Sequence, residues 1–246
     1  MAWFIQPDSR NRGDEDETQL SPAMRSIPEE QARFEAIGSE LGRRIVGDYK
    51  ALGYDIWDYA LMATNPGHPY FSPSSYPKPC QGWRWPIPDE PFRNRLKRKT
   101  GRIVDIVTPE FPAYAISQRV IDLIEAIEPG VHQYLPYEMI QPDGSVHPEK
   151  RWLLNVCTRA DTLDYERSDV IPLKAAPAEY MDRTRFRSIA IRKAEAERRA
   201  VWYEYRYVGS SGDFLVSDRL WDALHEAGCA GWRPASFARG HHIPEV

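Results

Sequence analysis

Histidines are the residues of this sequence best suited to hold a metal or to transfer a proton, and their spacing favours neither role. His241 and His242 are adjacent, whereas a helical two-histidine zinc site places them at positions i and i+4 on one face. The others lie beside a proline or lack a cysteine or histidine at ligand spacing: His68, His132, His147 and His225. We therefore expect surface histidines, no metal site and no cofactor.

Two serines could act as nucleophiles, because each opens a repeated stretch. Ser117 lies in Tyr-Ala-Ile-Ser-Gln-Arg-Val-Ile-Asp, and Ser217 in Phe-Leu-Val-Ser-Asp-Arg-Leu-Trp-Asp. Helix capping explains both without a partner base, since a serine before the first turn accepts a hydrogen bond from a free backbone N–H. No P-loop, Gly-x-Gly-x-x-Gly, Gly-x-Ser-x-Gly or His-Glu-x-x-His motif occurs. The sequence shows no active site, and we assign no catalytic residue; the alternative is a hydrolase or nuclease with an unrecognised active site.

The repeated arginines, Arg119 and Arg219, are harder to explain by packing. A cation in the first turn opposes the helix dipole, so a nearby acid should compensate. Asp122 and Asp222 stand at i+3, which predicts an ion pair in each helix. The alternative is an arginine that anchors a ligand.

Two charged runs could meet a partner. Residues 93–102 are basic enough to contact phosphates, although a solvated loop is the simpler interpretation. The acidic residues could engage a basic partner, such as the phosphate-binding cleft of a nuclease, or could belong to a solubilising loop. They are Asp14, Glu15, Asp16 and Glu17.

Composition limits the class of protein. The 246 residues are 42% hydrophobic, an ordinary globular value, and the net charge of −4 gives no basic field to attract nucleic acid. No apolar run approaches the ~20 residues that span a bilayer. Three cysteines without paired spacing indicate free thiols in a reducing compartment. We predict a cytoplasmic protein that binds neither membrane nor nucleic acid.

The periodicity of apolar residues indicates the helices and strands that position these residues. Apolar residues at helical spacing follow both serines, and each helix pattern ends in a glycine and an aromatic-x-Pro strand signal. A capping box at residues 26–29 opens a helix to about Arg44. Strands are predicted at 1–6, 102–107, 133–140, 151–157, 188–192 and 201–208, with a helical turn at 193–199. The alternative is a single helix over residues 187–199.

These elements predict an α+β fold: a mixed or antiparallel sheet with two related Ser-capped helices packed on it, plus an N-terminal helix and a Pro/Trp-rich loop region. We expect an N-terminal region at residues 1–101 and a duplicated strand-helix-strand domain at 102–246, which could form one compact unit.

Short motifs between residues 102 and 237 resemble a known family. They are Ala-Ile-Ser-Gln-Arg-Val at 115–120, Trp-Leu-Leu-Asn-Val at 152–156, Phe-Leu-Val-Ser-Asp-Arg-Leu at 214–220 and Gly-Trp-Arg-Pro at 231–234. The chain resembles the immunity-eleven family of polymorphic-toxin immunity proteins (domain of unknown function 1629). The resemblance implies a non-enzymatic protein that binds and neutralises a cognate toxin, encoded nearby, inside the producing bacterium.

An inhibitor of this kind needs an exposed contact surface, and aromatic residues dominate such surfaces. The region 65–91 is rich in proline and tryptophan. We therefore expect toxin contacts at Trp83 and Trp85, together with the acidic residues 14–17.

Overall fold

The computed structural model describes residues 2–7, 24–25, 27–51, 84–109, 113–160, 162–164, 166–172, 181–204, 207–208 and 214–234. The helices in these ranges are α1 (Pro28–Ala51), α2 (Gln118–Glu125), α3 (Lys193–Ala196) and α4 (Asp218–Glu226). The strands are β1 (Ala2–Pro7), β2 (Met24–Arg25), β3 (Phe92–Leu96), β4 (Ile106–Val107), β5 (Tyr114–Ile116), β6 (Gln133–Ile140), β7 (Arg151–Asn155), β8 (Arg159–Ala160), β9 (Asp169–Pro172), β10 (Met181–Ser188), β11 (Val201–Glu204), β12 (Tyr207–Val208), β13 (Leu215–Ser217) and β14 (Trp232–Pro234).

Within the described ranges the strands form three sheets. The largest has the order β2-β3-β6-β7-β5-β4, the second β14-β1-β13-β11-β8, and the third β12-β10-β9. Neighbours are antiparallel except for β3 with β6, β11 with β8, and β10 with β12, which run parallel. Mixed sheets with helices packed on them confirm the predicted α+β class.

The sequence repeat corresponds to a repeated structural unit. In the first copy β4 pairs with β5 so that Ile106 faces Ile116, and in the second β11 pairs with β13 so that Val201 faces Val216. The order β6-β7-β5-β4 is thus matched by β14-β1-β13-β11, and every pair in both sets is antiparallel. In the second set the position of β7 is filled by β1, from the beginning of the chain. The duplication therefore extends beyond the helix and strand that the sequence pattern predicted.

Both repeated helices begin and end alike. The hydroxyl of Ser117 accepts a hydrogen bond from the Val120 N–H at 3.4 Å, and that of Ser217 accepts one from the Leu220 N–H at 3.3 Å. These bonds satisfy a backbone donor that the first turn leaves free. A glycine with positive φ follows each helix: Gly130 after α2 and Gly228 after α4.

Two clusters of buried side chains form the core. In the first, Phe34 of α1 packs on Trp85 and Phe92, with ring centroids 4.9 and 5.3 Å away. The second lies between α2, α4 and the strands of both units. At its centre the equivalent rings of Tyr114 and Phe214 meet edge to face at 5.6 Å, a favourable aromatic geometry.

Several predicted elements need adjustment. The helix predicted to end near residue 44 continues to 51, and its residues Phe34 and Leu41 are buried. The strand expected at 102–107 is limited to β4, because the side chain of Arg151 rather than a strand binds the backbone carbonyls of Ile103 and Val104. The basic run begins inside β3, so the solvated-loop interpretation was wrong for its first part.

Other predictions have mixed outcomes. The helical turn after residue 192 is confirmed as α3, and β10 ends where the strand at 188–192 was expected to begin. The division at residue 101 stays a prediction; β2 and β3 share a sheet with β4–β7. Residues 52–83 and the tail 235–246 are outside the described ranges. No helix in the described part of the chain is long and apolar enough to cross a bilayer.

Candidate functional site

A polar cleft of about 640 Å³ lies beside the first repeated helix. Its walls come from the segment before β4, the first turn of α2, the start of β7 and the turn after α4. The cleft therefore combines parts of both repeated units. Its charged lining residues are Arg102, Asp105, Arg119, Glu149, Lys150 and Arg151, and we call it the arginine cleft.

Asp105 organises one side of the arginine cleft. Its Oδ1 atom accepts a hydrogen bond of 2.8 Å from the Ser117 hydroxyl, and its Oδ2 atom lies 2.7 Å from Nη2 of Arg119. The hydrogen bond to Asp105 raises the pKa of Arg119, which therefore remains a cation at any physiological pH. One carboxylate thus receives both polar residues of the first Ser-x-Arg motif.

This arrangement corrects the predicted ion pair between Arg119 and Asp122. The Asp122 carboxylate instead accepts a hydrogen bond of 2.8 Å from the side chain of Gln118. The error arose because the acid that compensates Arg119 lies before β4, two strands and their connection ahead of the helix, where helical spacing gives no signal.

Arg119 also connects the two repeated helices. Its Nη1 atom donates a hydrogen bond of 2.8 Å to the backbone oxygen of Ala227, the C-cap residue of α4. A cation at a helix C-terminus interacts favourably with the negative end of the helix dipole. This contact compensates for the unfavourable position of Arg119 in the first turn of its own helix.

Arg151 fixes the part of the cleft wall that is formed by the segment before β4 and the start of β7. Its side chain is only 5% exposed, yet its Nη2 atom donates to the backbone oxygens of Ile103 and Val104 and to Glu149 Oε2, at 2.8–3.0 Å. Its Nε atom is buried without a hydrogen-bond partner. The guanidinium therefore holds the segment before β4 against β7 and keeps one donor unused.

Two exposed cations complete the lining. Arg102 and Lys150 are both exposed, and in the part of the chain that the structure describes neither side chain has a hydrogen-bond or ion-pair partner. Asp105 and Glu149, in contrast, each pair with an arginine of the cleft. The two unpaired cations give the arginine cleft a net positive charge.

Among the described residues, the second Ser-x-Arg motif has no carboxylate equivalent to Asp105. The Ser217 N–H donates to the backbone oxygen of Ala200 at 3.0 Å, just as the Ser117 N–H donates to that of Asp105 at 2.8 Å. Alanine at this position offers no carboxylate. Among the described residues, no side-chain hydrogen bond or ion pair is formed by Arg219 or Asp222, so the predicted pair is wrong here too.

The predicted toxin-contact residues have different outcomes. Trp83 and the acidic residues 14–17 are outside the described ranges. Trp85 is 2% exposed, and its backbone N–H and carbonyl both bind the side-chain amide of Gln133, at 2.7 and 2.9 Å. Its indole packs in the core, so in the free protein it cannot present its face to a partner. Two residues on, Ile87 is 73% exposed.

The expected surface location of the histidines is wrong for two of them. His132 is buried beside Glu128, with Nε2 at 3.2 Å from Oε2, and its Nδ1 atom accepts from the Cys157 N–H. His147 is buried with Nε2 at 2.6 Å from the oxygen of Gly101. Both histidines have structural roles, because their ring nitrogens form hydrogen bonds with backbone groups and with Glu128. His225 is exposed, as expected.

The Glu128 carboxylate links the two repeated units. It accepts hydrogen bonds from His132 and from the Ala200 N–H, at 3.2 and 2.8 Å. Burial alone would raise its pKa, but these bonds outweigh the desolvation and hold the pKa of Glu128 below its ordinary value. The described residues contain no group of acids, histidines and cysteines that could bind a metal ion.

Comparison with protein-family models identifies the relationship that the motifs suggested. The Immunity protein family (Imm11) matches residues 14–239. The chain belongs to this family. The family match begins at residue 14, well before the region 102–237 that contains the short motifs. In this member of the immunity protein family it therefore also covers α1 and the Pro/Trp-rich region. A search among curated proteins found no significant match.

Sequence reasoning missed most residues of the arginine cleft. Extending the repeat backwards would not have found Asp105, because it stands 12 residues before Ser117 whereas its structural equivalent Ala200 stands 17 residues before Ser217. Arg151 and Lys150 carry no signal in the sequence either, because they reach the cleft only through the pairing of β7 with β5.

Proposed function

We propose that this protein binds a cognate bacterial toxin directly and neutralises it in the cytoplasm of the cell that makes both. The family match over residues 14–239 is the observation that carries the proposal. The inhibitor acts by covering the toxin through protein–protein contact and performs no chemistry of its own.

The environment of Ser117 supports a non-enzymatic role. Its hydroxyl donates to Asp105 at 2.8 Å and accepts from the Val120 N–H. A nucleophilic serine needs a general base that takes its proton during attack. Here the carboxylate that receives the hydrogen bond is also paired with Arg119 at 2.7 Å, which favours a fixed structural contact.

The proposed toxin-contact surface contains Trp83 and the acidic residues 14–17, together with the segment 84–91. Trp85 contributes as an anchor, because its buried indole and the Gln133 hydrogen bonds fix the chain immediately after Trp83. Arg84 adds two hydrogen bonds of 3.0 Å to the backbone oxygens of Gly130 and Val131. A preorganised segment of this kind loses little conformational entropy on binding.

Co-expression tests the proposal. The toxin encoded beside this gene is expressed in a bacterial host alone, with this protein, and with an unrelated immunity protein. We expect growth arrest alone, rescue with this protein only, and a stoichiometric complex in size-exclusion chromatography with light scattering. Rescue without a complex would contradict direct inhibition and would favour enzymatic detoxification.

The contact surface is tested in the same complex. Trp83→Ala and a variant with residues 14–17 changed to Asn and Gln should weaken toxin binding while the thermal unfolding temperature stays constant. Unchanged affinity in both variants would remove this surface from the proposal, although the toxin-binding function would stand.

A further inference from the structure

The charges of the arginine cleft do not cancel. The carboxylates of Asp105 and Glu149 lie within 2.8 Å of an arginine nitrogen each. The side chains of Arg102 and Lys150 have no partner among the described residues. Since the whole chain carries a net charge of −4, this local excess of positive charge is opposite in sign to the rest of the protein.

The framework that carries these cations is rigid. Arg151 is anchored through backbone and carboxylate acceptors, with its buried Nε atom left without a partner. Arg119 is held between Asp105 and the Ala227 oxygen. The first turn of α2 also lines the cleft and adds the positive end of its dipole. The walls of the cleft are therefore held in place, and the exposed side chains of Arg102 and Lys150 are the groups that a ligand has to order.

We infer that the arginine cleft binds an acidic segment of the toxin, with a carboxylate held between Arg102 and Lys150. The inference rests on the proposed function and assigns the chemistry of the partner at this site. Arginine and lysine bind carboxylates through charge-assisted hydrogen bonds, and such contacts at the edge of an interface accelerate association and contribute specificity.

A protein segment fits the arginine cleft better than a nucleic acid does. The acidic net charge of the chain would repel a long phosphate backbone where it extends beyond the cleft, whereas a short acidic segment meets only the positively charged lining. The lining also contains Ile103, Ala230 and the partly exposed Trp152. Apolar groups next to cations suit an acidic side chain flanked by apolar neighbours.

The test uses purified toxin carrying an inactivating substitution. The double variant Arg102→Glu/Lys150→Glu is compared with the control Lys97→Glu/Arg98→Glu, which changes the net charge equally at exposed positions outside the cleft. We expect the cleft variant to lose at least about tenfold in affinity, mainly in the association rate, and the control to change less than about threefold. Raising the NaCl concentration should weaken the wild-type complex more than the cleft variant.

A compensating change sharpens the result. Replacing one acidic residue of the toxin with lysine should restore its affinity for the cleft variant. The same replacement should give no gain in affinity for the wild-type protein. Circular dichroism and thermal unfolding establish that both variants are folded, as expected for exposed side chains.

The outcomes separate the two hypotheses. If wild-type protein does not bind the toxin, the proposed function fails. If it binds and the cleft and control variants weaken equally, or not at all, the proposed function stands and the inference about the cleft is overturned. It is also overturned if the cleft variant loses retention of a fluorescent DNA duplex while its affinity for the toxin is unchanged.

Discussion

Asp105 in the first repeated unit occupies the position of Ala200 in the second: the backbone oxygen of each accepts the N–H of the serine that caps the following helix. Only Asp105 adds a side chain that binds the cap hydroxyl and the arginine of the motif. The two units have thus kept the same backbone contact and diverged in the side chain. Because of this difference, the carboxylate that lines the arginine cleft has no counterpart at Ala200.

The carboxylate of Asp105 should contribute measurably to stability. Asp105→Ala removes the acceptor of the Ser117 hydroxyl and of Arg119, and we expect a loss of about 1–3 kcal/mol in the free energy of unfolding. Urea denaturation measures it. The control Asp122→Ala removes an exposed carboxylate from α2, the helix that carries Arg119. It should change the free energy of unfolding by less than about 0.5 kcal/mol. Equal effects of the two substitutions would contradict the assignment.

Gly231 should not tolerate a side chain. Its φ is +123°, and a Cβ atom there would lie 1.9 Å from the backbone oxygen of Ile106. Gly231→Ala should therefore destabilise the fold by about 2–5 kcal/mol, from backbone strain and overpacking together.

Gly101→Ala is the matched control for this prediction, because a Cβ atom at Gly101 meets nothing within 4 Å. We expect a change of less than about 1 kcal/mol. Thermal unfolding compares the two variants, and a tolerated Gly231→Ala would show that the approach of β14 to β4 is looser than described.

The lowered pKa of Glu128 predicts a loss of stability in acid. A carboxyl whose pKa is lower in the folded state contributes stability above its unfolded pKa and loses that contribution as the pH falls through the folded value. Wild-type protein should therefore lose this contribution below the usual pKa range of glutamate. In Glu128→Gln this part of the pH dependence should be absent.

Unfolding temperatures recorded from pH 7 to pH 3 test the role of Glu128. The difference in unfolding temperature between the wild type and Glu128→Gln should become smaller as the pH falls. A constant difference over the whole range would mean that the Glu128 carboxyl titrates alike in the folded and unfolded states.

Cys157 should be an unreactive thiol. Burial raises its pKa to about 11, so at pH 8 only about one thiol in a thousand is ionised. Iodoacetamide labelling followed by peptide mass spectrometry should modify Cys157 far more slowly in the folded protein than in urea. Comparable rates in the two states would contradict the burial of this thiol.

The sequence predicted those parts of the fold that depend on neighbours along the chain. The capping serines and apolar stripes placed α2 and α4, and the strands predicted at 133–140 and 151–157 correspond to the paired β6 and β7. The arginine cleft could not be predicted in the same way. Arg119 meets Asp105 across a strand pair and Ala227 across the two helices, and neither contact has a periodic signal. The burial of His132 and His147 likewise depends on backbone groups brought close by the sheet.

Pairing of β1 with β13 and β14 has a consequence for synthesis on the ribosome. Among the described strands, the first to be synthesised joins the last two, since Trp3 faces Val216 and Gln6 faces Arg233. The second unit can be completed only after nearly all the described chain has emerged, and such distant contacts slow folding. A chain that stops before β13 would therefore lack the finished second sheet.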